Sequence, residues 1–126
     1  MMGLGITLFA SCKKDDPTPT TTQRVQGVWK LDQVISYYQF TGFPAARDTT
    51  FGLATDYVDF RTDNKVYSFV DGQYDTSTYA IISDNALLLD GDTTNIQTLT
   101  ATNFNLFSSD YVNSTNFSEV TIKLKK

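Results

Sequence analysis

The side chains that most often do chemistry in proteins are scarce in this chain. Among 126 residues there is no histidine, and Cys12 is the single cysteine. Histidine is the usual general base and the commonest transition-metal ligand, so a Ser/His/Asp set cannot be assembled. The nearest approach to a carboxylate pair is Asp56 with Asp59, and strand alternation places Asp59 on a solvated face. We therefore expect no enzymatic activity, no catalytic residue, no metal and no cofactor.

Composition and charge narrow the classes of partner. The chain is 40% hydrophobic and 19% charged, with a formal net charge of −4, which is typical of a folded domain. No basic patch large enough to grip phosphates is visible, so we expect no nucleic-acid partner. The acidic balance favours solubility more than it favours any particular ligand.

A second group of candidate functional residues is large and apolar. Strand alternation predicts that seven such side chains point toward one interior. They could line a cavity for a small apolar or amphipathic molecule, or they could simply fill a packed core. The seven are Trp29, Phe60, Phe69, Tyr79, Ile81, Phe104 and Leu106.

The longest predicted connection, residues 39 to 55, is also rich in phenylalanine. It carries Phe40, Phe43 and Phe51 among polar residues. Long loops are often lids or binding segments, so these rings could cover a site or dock a partner. Alternatively, they could plug the interior as a satellite core.

These residues need a scaffold, and the sequence predicts an all-β one. Short apolar-rich runs are separated by turn dipeptides, and Asp71-Gly72 is the strongest hairpin signal because a tight turn needs positive φ there. No window has convincing helical periodicity. The eight predicted strands are 28–38, 56–61, 65–70, 73–83, 86–89, 95–101, 104–107 and 117–124.

Eight strands joined mostly by tight turns favour an antiparallel meander of sequence neighbours. Such a meander exposes two edges unless it closes, and closure into an up-and-down barrel removes both. We therefore predict a small eight-stranded barrel, which is wide enough either to fill itself with side chains or to hold one small ligand.

The N-terminus has the features of an export signal. Met1 to Ala10 is uncharged and too short to span a membrane, and it leads into Phe9-Ala10-Ser11-Cys12. This resembles the bacterial lipobox, with Phe9 in place of the more usual Leu. The resemblance implies that residues 1–11 are a signal peptide, and that Cys12 is lipidated and becomes the mature N-terminus. The alternative is an N-terminal strand with Cys12 as an ordinary buried thiol.

Residues 12–24 then combine the lipidated cysteine with a polar tether. The stretch KKDDPTPTTTQR cannot bury apolar surface, so we expect a flexible, extended linker. Cys12-Lys13-Lys14-Asp15-Asp16 resembles the surface-export signal of Bacteroidetes-type lipoproteins, which implies an outer-membrane anchor and a cell-surface location. The alternative is a generic charged linker.

The remaining domain, residues 25–126, resembles the lipocalin-like domains of Bacteroidetes-type lipoproteins. Gly27-Val28-Trp29 resembles the Gly-x-Trp signature of lipocalins, in which the Trp closes one barrel end. Further similarity lies in Tyr79-Ala80-Ile81 and the apolar residues of the later strands. The chain departs from a full lipocalin in its short strands, and no Arg lies near the C-terminus to stack on Trp29, a role for which Lys123 is a poor substitute.

Two functions follow as hypotheses. The first is a membrane-anchored lipocalin-like lipoprotein that holds a small apolar or amphipathic ligand in a shallow barrel. The second is a structural or interaction lipoprotein whose barrel is filled and which docks another component of the cell envelope.

Overall fold

The computed structural model describes residues 19–126, which form an antiparallel β-barrel with one short helix. Predictions for residues 1–18, including the signal peptide, Cys12 and most of the tether, lie outside the described residues. The elements are α1 (Thr21–Val25), β1 (Gly27–Gln39), β2 (Ala46–Phe51), β3 (Tyr57–Phe60), β4 (Lys65–Val70), β5 (Gln73–Ser83), β6 (Ala86–Leu89), β7 (Asp92–Leu99), β8 (Asn103–Asn113) and β9 (Asn116–Lys125).

The predicted eight-stranded closed barrel is confirmed. From β3 to β9 each strand pairs antiparallel with the next, and β1 pairs with both β3 and β9, which closes the circuit. The turns follow the chemistry that the sequence indicated. Asp71 and Gly72 have φ of 52° and 78°, and Asp90 and Gly91 have 54° and 84°, as a two-residue hairpin turn with positive φ at both positions requires.

The prediction of an unstructured connection over residues 39–55 is wrong, because this segment contains β2. β2 pairs with the second half of β1, from Phe51 opposite Gln33 to Ala46 opposite Tyr38. The first half of β1 pairs with β3 on that same side. β2 is thus a ninth strand beside the barrel. Its sequence, ARDTTF, lacks an apolar run because nearly all of it is exposed.

Trp29 seals one end of the barrel, the closed end. Its ring is fully buried, its Nε1 donates a hydrogen bond of 2.8 Å to the carbonyl of Val25, and Phe104 lies 5.3 Å away. Gly27 has a φ of 126°, a conformation that other residues avoid. The Gly-x-Trp spacing therefore has a local cause: the glycine makes the bend that directs the chain into the first strand.

The closed end is covered by α1, which corrects the predicted extent of the tether. Thr20 caps the helix in a capping box with Gln23, and Thr21 and Val25 are buried against the barrel. The Thr21 hydroxyl donates a 2.6 Å hydrogen bond to Asp84 at the turn between β5 and β6. The last residues of the predicted extended linker, 21 to 24, are therefore helical and belong to the folded domain. Between residues 19 and 126 no helix is long and apolar enough to cross a membrane.

Candidate ligand-binding site

Large rings fill the closed half of the barrel. Phe60 meets Tyr79 edge-on at 5.1 Å and lies 5.5 Å from Phe104. The Tyr79 hydroxyl donates a 2.6 Å hydrogen bond to the carbonyl of Arg61, so the one polar atom of this ring is satisfied. This half is a packed core without room for a ligand.

The open half of the barrel holds a cavity of about 240 Å³. Ten of its 13 lining residues are apolar, and several of them, such as Val34, Val70 and Leu89, are only partly buried because the mouth admits solvent. For scale, an engineered apolar cavity of about 150 Å³ binds benzene. The lining residues are Leu31, Val34, Val58, Phe60, Val66, Ser68, Val70, Asp75, Ser77, Leu89, Leu106, Ile122 and Leu124.

The polar part of the cavity wall comes from β4 and β5. Ser68 lies opposite Asp75, and Val66 lies opposite Ser77, so these side chains share the inner face. Asp75 is exposed although it lines the cavity, which places it at the mouth. The wall therefore combines an aliphatic interior with a few hydrogen-bonding groups, as small-molecule sites usually do.

A groove of about 520 Å³, here called the β7–β8 groove, adjoins this cavity. The ladder between β7 and β8 extends only as far as Asn95 opposite Phe107. Beyond that point the two strands do not pair with each other. Leu89 lines both the groove and the cavity, so the two spaces are neighbours. The groove is lined by Leu89, Asp92, Thr93, Thr94, Ser108, Ser109, Asp110, Ser118 and Val120.

The predicted inward residues occupy two different places. Phe60 and Leu106 line the cavity. Trp29, Tyr79 and Phe104 are buried in the core without lining it. Ile81 is partly buried against the same core. Most of these seven side chains therefore do not line the cavity.

The predicted inward orientation of Phe69 is wrong. Phe69 lies opposite both Tyr57 and Tyr74, with ring centroids 6.2 Å and 4.5 Å away, and it belongs to an aromatic cluster on the outer face. Its neighbours Ser68 and Val70 take the inward positions. A one-residue change of phase reverses every side chain of a strand. The small side chain at Ser68 leaves space that an inward phenyl ring would fill.

The three phenylalanines of the predicted lid are exposed and do not plug the barrel. Phe40, Phe43 and Phe51 have 55%, 69% and 66% of their surface accessible. Phe40 lines a hollow beside the mouth together with Tyr38 and Asp48. The Tyr38 hydroxyl donates a 3.0 Å hydrogen bond to the Asp48 carboxylate, and this contact raises the pKa of Tyr38. The remaining two rings stand away from the cavity lining.

Asp56 and Asp59 do not form a carboxylate pair. Asp56 is only 2% exposed, and its two oxygens accept hydrogen bonds from the backbone nitrogens of Leu53, at 2.9 Å, and Asp71, at 3.0 Å. Asp59 instead forms an ion pair of 2.7 Å with Arg61. Asp56 therefore ties the segment after β2 to the β4–β5 turn, which is a structural role.

Two features of the site escaped the sequence analysis. The polar residues of the groove are consecutive in the sequence, Asp92 to Thr94 on β7 and Ser108 to Asp110 on β8, but nothing in the sequence indicated where those strands separate. At the closed end, the ammonium of Lys126 lies 4.3 Å from the centre of the Trp29 ring. The sequence had offered Lys123 only as a poor substitute for an Arg at this position, and Lys123 lies opposite Gln33. In the part of the chain that the structure describes, no group of three or more His, Cys, Asp or Glu side chains could hold a metal ion.

No protein-family model matches this chain, and no curated protein has a significantly similar sequence. The candidate site is an aliphatic cavity at the open end of a barrel, beside a groove of hydroxyl and carboxylate groups.

Proposed function

We propose that this protein is a non-enzymatic, membrane-anchored lipocalin-like lipoprotein that binds a small apolar or amphipathic ligand in the open half of its barrel. The observation that carries this proposal is the apolar cavity of about 240 Å³. Its volume suits a molecule somewhat larger than benzene, or the apolar tail of a longer amphiphile.

The aliphatic wall of the cavity favours an apolar ligand. Solvent reaches this wall through the open mouth, and removing apolar surface from water is favourable by about 25 cal/mol per Å². A bound apolar group would cover the wall and add packing contacts.

The position of the chain entry is compatible with a lipid anchor. α1 packs at the closed end, where Thr21 bonds Asp84, whereas the cavity opens between the opposite turns. A diacylglyceryl group on Cys12 would therefore be attached at the closed end and would leave the mouth unobstructed. We propose an outer-membrane anchor facing the cell surface, supported by the residues Lys13 to Asp16 that follow the cysteine.

The experiment compares ligand binding by the native chain with ligand binding by a variant in which a larger side chain fills the cavity. Protein purified from its own host is examined by native mass spectrometry, and binding of octanol is then followed by NMR. Ser68→Phe puts a ring into the cavity, because Ser68 lines it, so we expect bound ligand and octanol binding to be lost. Thr76→Phe is the matched control, because Thr76 is exposed and lies opposite the outer-face residue Tyr67.

The outcomes separate clearly. Octanol binding to the native chain and to Thr76→Phe, but not to Ser68→Phe, would support ligand carriage. A bare mass from the host together with no octanol binding by the native chain would refute it.

A second candidate function is docking of another envelope protein, and the exposed edge of β2 favours it. Among residues 19–126, β2 pairs only with β1, and Phe43, Phe51 and Leu53 around it are exposed by 69%, 66% and 55%. A photo-crosslinker placed at Phe43 or Phe51 in intact cells should then give one recurrent adduct. The same crosslinker at Tyr74, which is 78% exposed on the barrel's outer face, serves as the control. Identical adduct patterns from all three positions would argue against docking at β2.

A further inference from the structure

A buried hydroxyl in the β7–β8 groove lacks a partner. Thr94 is only 5% exposed, and it lies opposite Leu87, which is fully buried in the barrel. Its side chain therefore points inward, where it lines the groove. The hydroxyl makes no hydrogen bond to any residue between 19 and 126. Buried polar side chains are nearly always hydrogen-bonded, so an unpaired one indicates a missing partner.

The same groove is anionic. Asp92 and Asp110 both line it, and neither carboxylate is engaged in an ion pair or hydrogen bond with a described residue. Ser108 and Ser118 add hydroxyl groups, and no Lys or Arg lines the groove. The groove therefore offers negative charge and hydrogen-bond acceptors to whatever enters it.

The groove and the apolar cavity lie side by side on the inner face of the barrel, and together they are called the chamber. Leu89 belongs to both walls. On β9, Val120 lines the groove, and Ile122, two residues along the same face of the strand, lines the cavity. A molecule with an apolar end in the cavity would thus place its other end among the carboxylates.

We propose that the ligand class of this chamber is a positively charged amphiphile, an alkyl amine or a related ammonium compound. Its apolar tail enters the barrel cavity, and its head group lies in the β7–β8 groove against Asp92, Asp110 and the Thr94 hydroxyl. An ammonium carries only hydrogen-bond donors, which match these acceptors. A carboxylate head would be repelled by the two aspartates. This inference rests on the proposed ligand-binding function.

The test compares three probes of equal chain length: octylammonium, octanol and octanoate. Each is titrated below its micellar concentration into the full-length chain carrying Cys12→Ser, which cannot be acylated and needs no detergent, and binding is followed by NMR. We expect octylammonium to bind about tenfold more tightly than octanol, an affinity ratio that corresponds to 1.4 kcal/mol. Octanoate should bind more weakly than octanol. Raising the salt concentration should reduce the preference for the amine, because part of it is electrostatic.

Variants then locate the head group. Asp92→Asn and Asp110→Asn should each reduce the amine preference several-fold while leaving octanol binding unchanged. Asp90→Asn is the matched control: it removes the same charge at the neighbouring β6–β7 turn, outside the groove lining, and asparagine tolerates the positive φ at that position. Thr94→Val should weaken octylammonium but not octanol. The folds of all variants are checked by their NMR spectra.

Each outcome decides a different question. If octanol binds but octylammonium has no advantage, the charged-ligand inference is overturned and ligand carriage stands. If Asp90→Asn lowers the preference as much as Asp92→Asn does, the amine responds to general charge, and the groove is not its site. If none of the three probes binds, the proposed function itself fails.

Discussion

Removal of the Asp56 carboxylate tests the contacts of a carboxylate that is buried in the described part of the chain. Asp56 accepts hydrogen bonds from Leu53 and Asp71 at 2.9 Å and 3.0 Å while only 2% exposed. Asp56→Ala leaves two backbone N–H groups without an acceptor. Each hydrogen bond to a charged group contributes about 1.5–3 kcal/mol. A water molecule entering the vacated space recovers part of this, so we expect a loss of about 3–4 kcal/mol in the free energy of unfolding.

The assay is urea unfolding followed by Trp29 fluorescence, since Trp29 is the only tryptophan and is fully buried. With a denaturant slope of about 1–3 kcal/mol per M, the midpoint should fall by about 1–4 M. Asp56→Asn keeps one acceptor and should lie between the native protein and Asp56→Ala. Asp110→Ala, at an exposed position without a described partner, should stay within about 0.5 kcal/mol of the native protein. If Asp56→Ala unfolds at the native midpoint, Asp56 does not tie the two segments together as argued.

Three further changes test other contacts. Gly52→Ala should destabilise the fold by about 1–3 kcal/mol or more, because an added Cβ would lie 1.9 Å from the Leu31 carbonyl oxygen; an unchanged thermal midpoint would contradict this. The Tyr67 hydroxyl donates a 2.8 Å hydrogen bond to Asp63 and lowers the pKa of that carboxyl, so Tyr67→Phe should raise the Asp63 pKa toward its ordinary value in an NMR titration. Because the pKa is lowered in the fold, this contact stabilises fully above the ordinary pKa of Asp and is lost as pH falls through the lowered value. Thr94→Val removes a buried hydroxyl without a described partner and should leave the urea midpoint equal or raise it.

The barrel could be predicted from sequence because its determinants are local. Asp71-Gly72 and Asp90-Gly91 both form turns with positive φ, and each connects two short runs that pair as neighbours. Closure then follows from the number of strands, since eight neighbours in a meander leave two edges that can pair with each other. None of this needed knowledge of distant contacts.

The predictions that were wrong concern positions where packing in the folded protein determines which side chain is buried and which backbone conformation is adopted. Phe69 and Ser68 could each have been the inward residue of β4, and hydrophobicity favoured Phe69, whereas the pairing of Ser68 with Asp75 puts the smaller side chain inside. Thr21 and Val25 were expected in or next to an extended tether, but their burial on the barrel end stabilises a five-residue helix. So short a helix owes its stability to packing rather than to propensity. At β4 the local sequence was compatible with either residue facing inward, and at residues 21–25 it was compatible with either a helix or an extended chain.

The candidate site was harder to predict than the fold because it arises from what the side chains leave empty. Trp29, Phe60, Tyr79 and Phe104 concentrate aromatic volume in the closed half. Smaller aliphatic and polar side chains line the other half, and the barrel is therefore packed at one end and hollow at the other.

The uneven filling has a consequence for the proposed anchor. The packed end is the end at which α1 joins the barrel, so tethering through the N-terminus would not obstruct the mouth. The proposed anchor and the proposed ligand entry would then lie at opposite ends of one small domain, and a variant at either end should disturb one of these properties without the other.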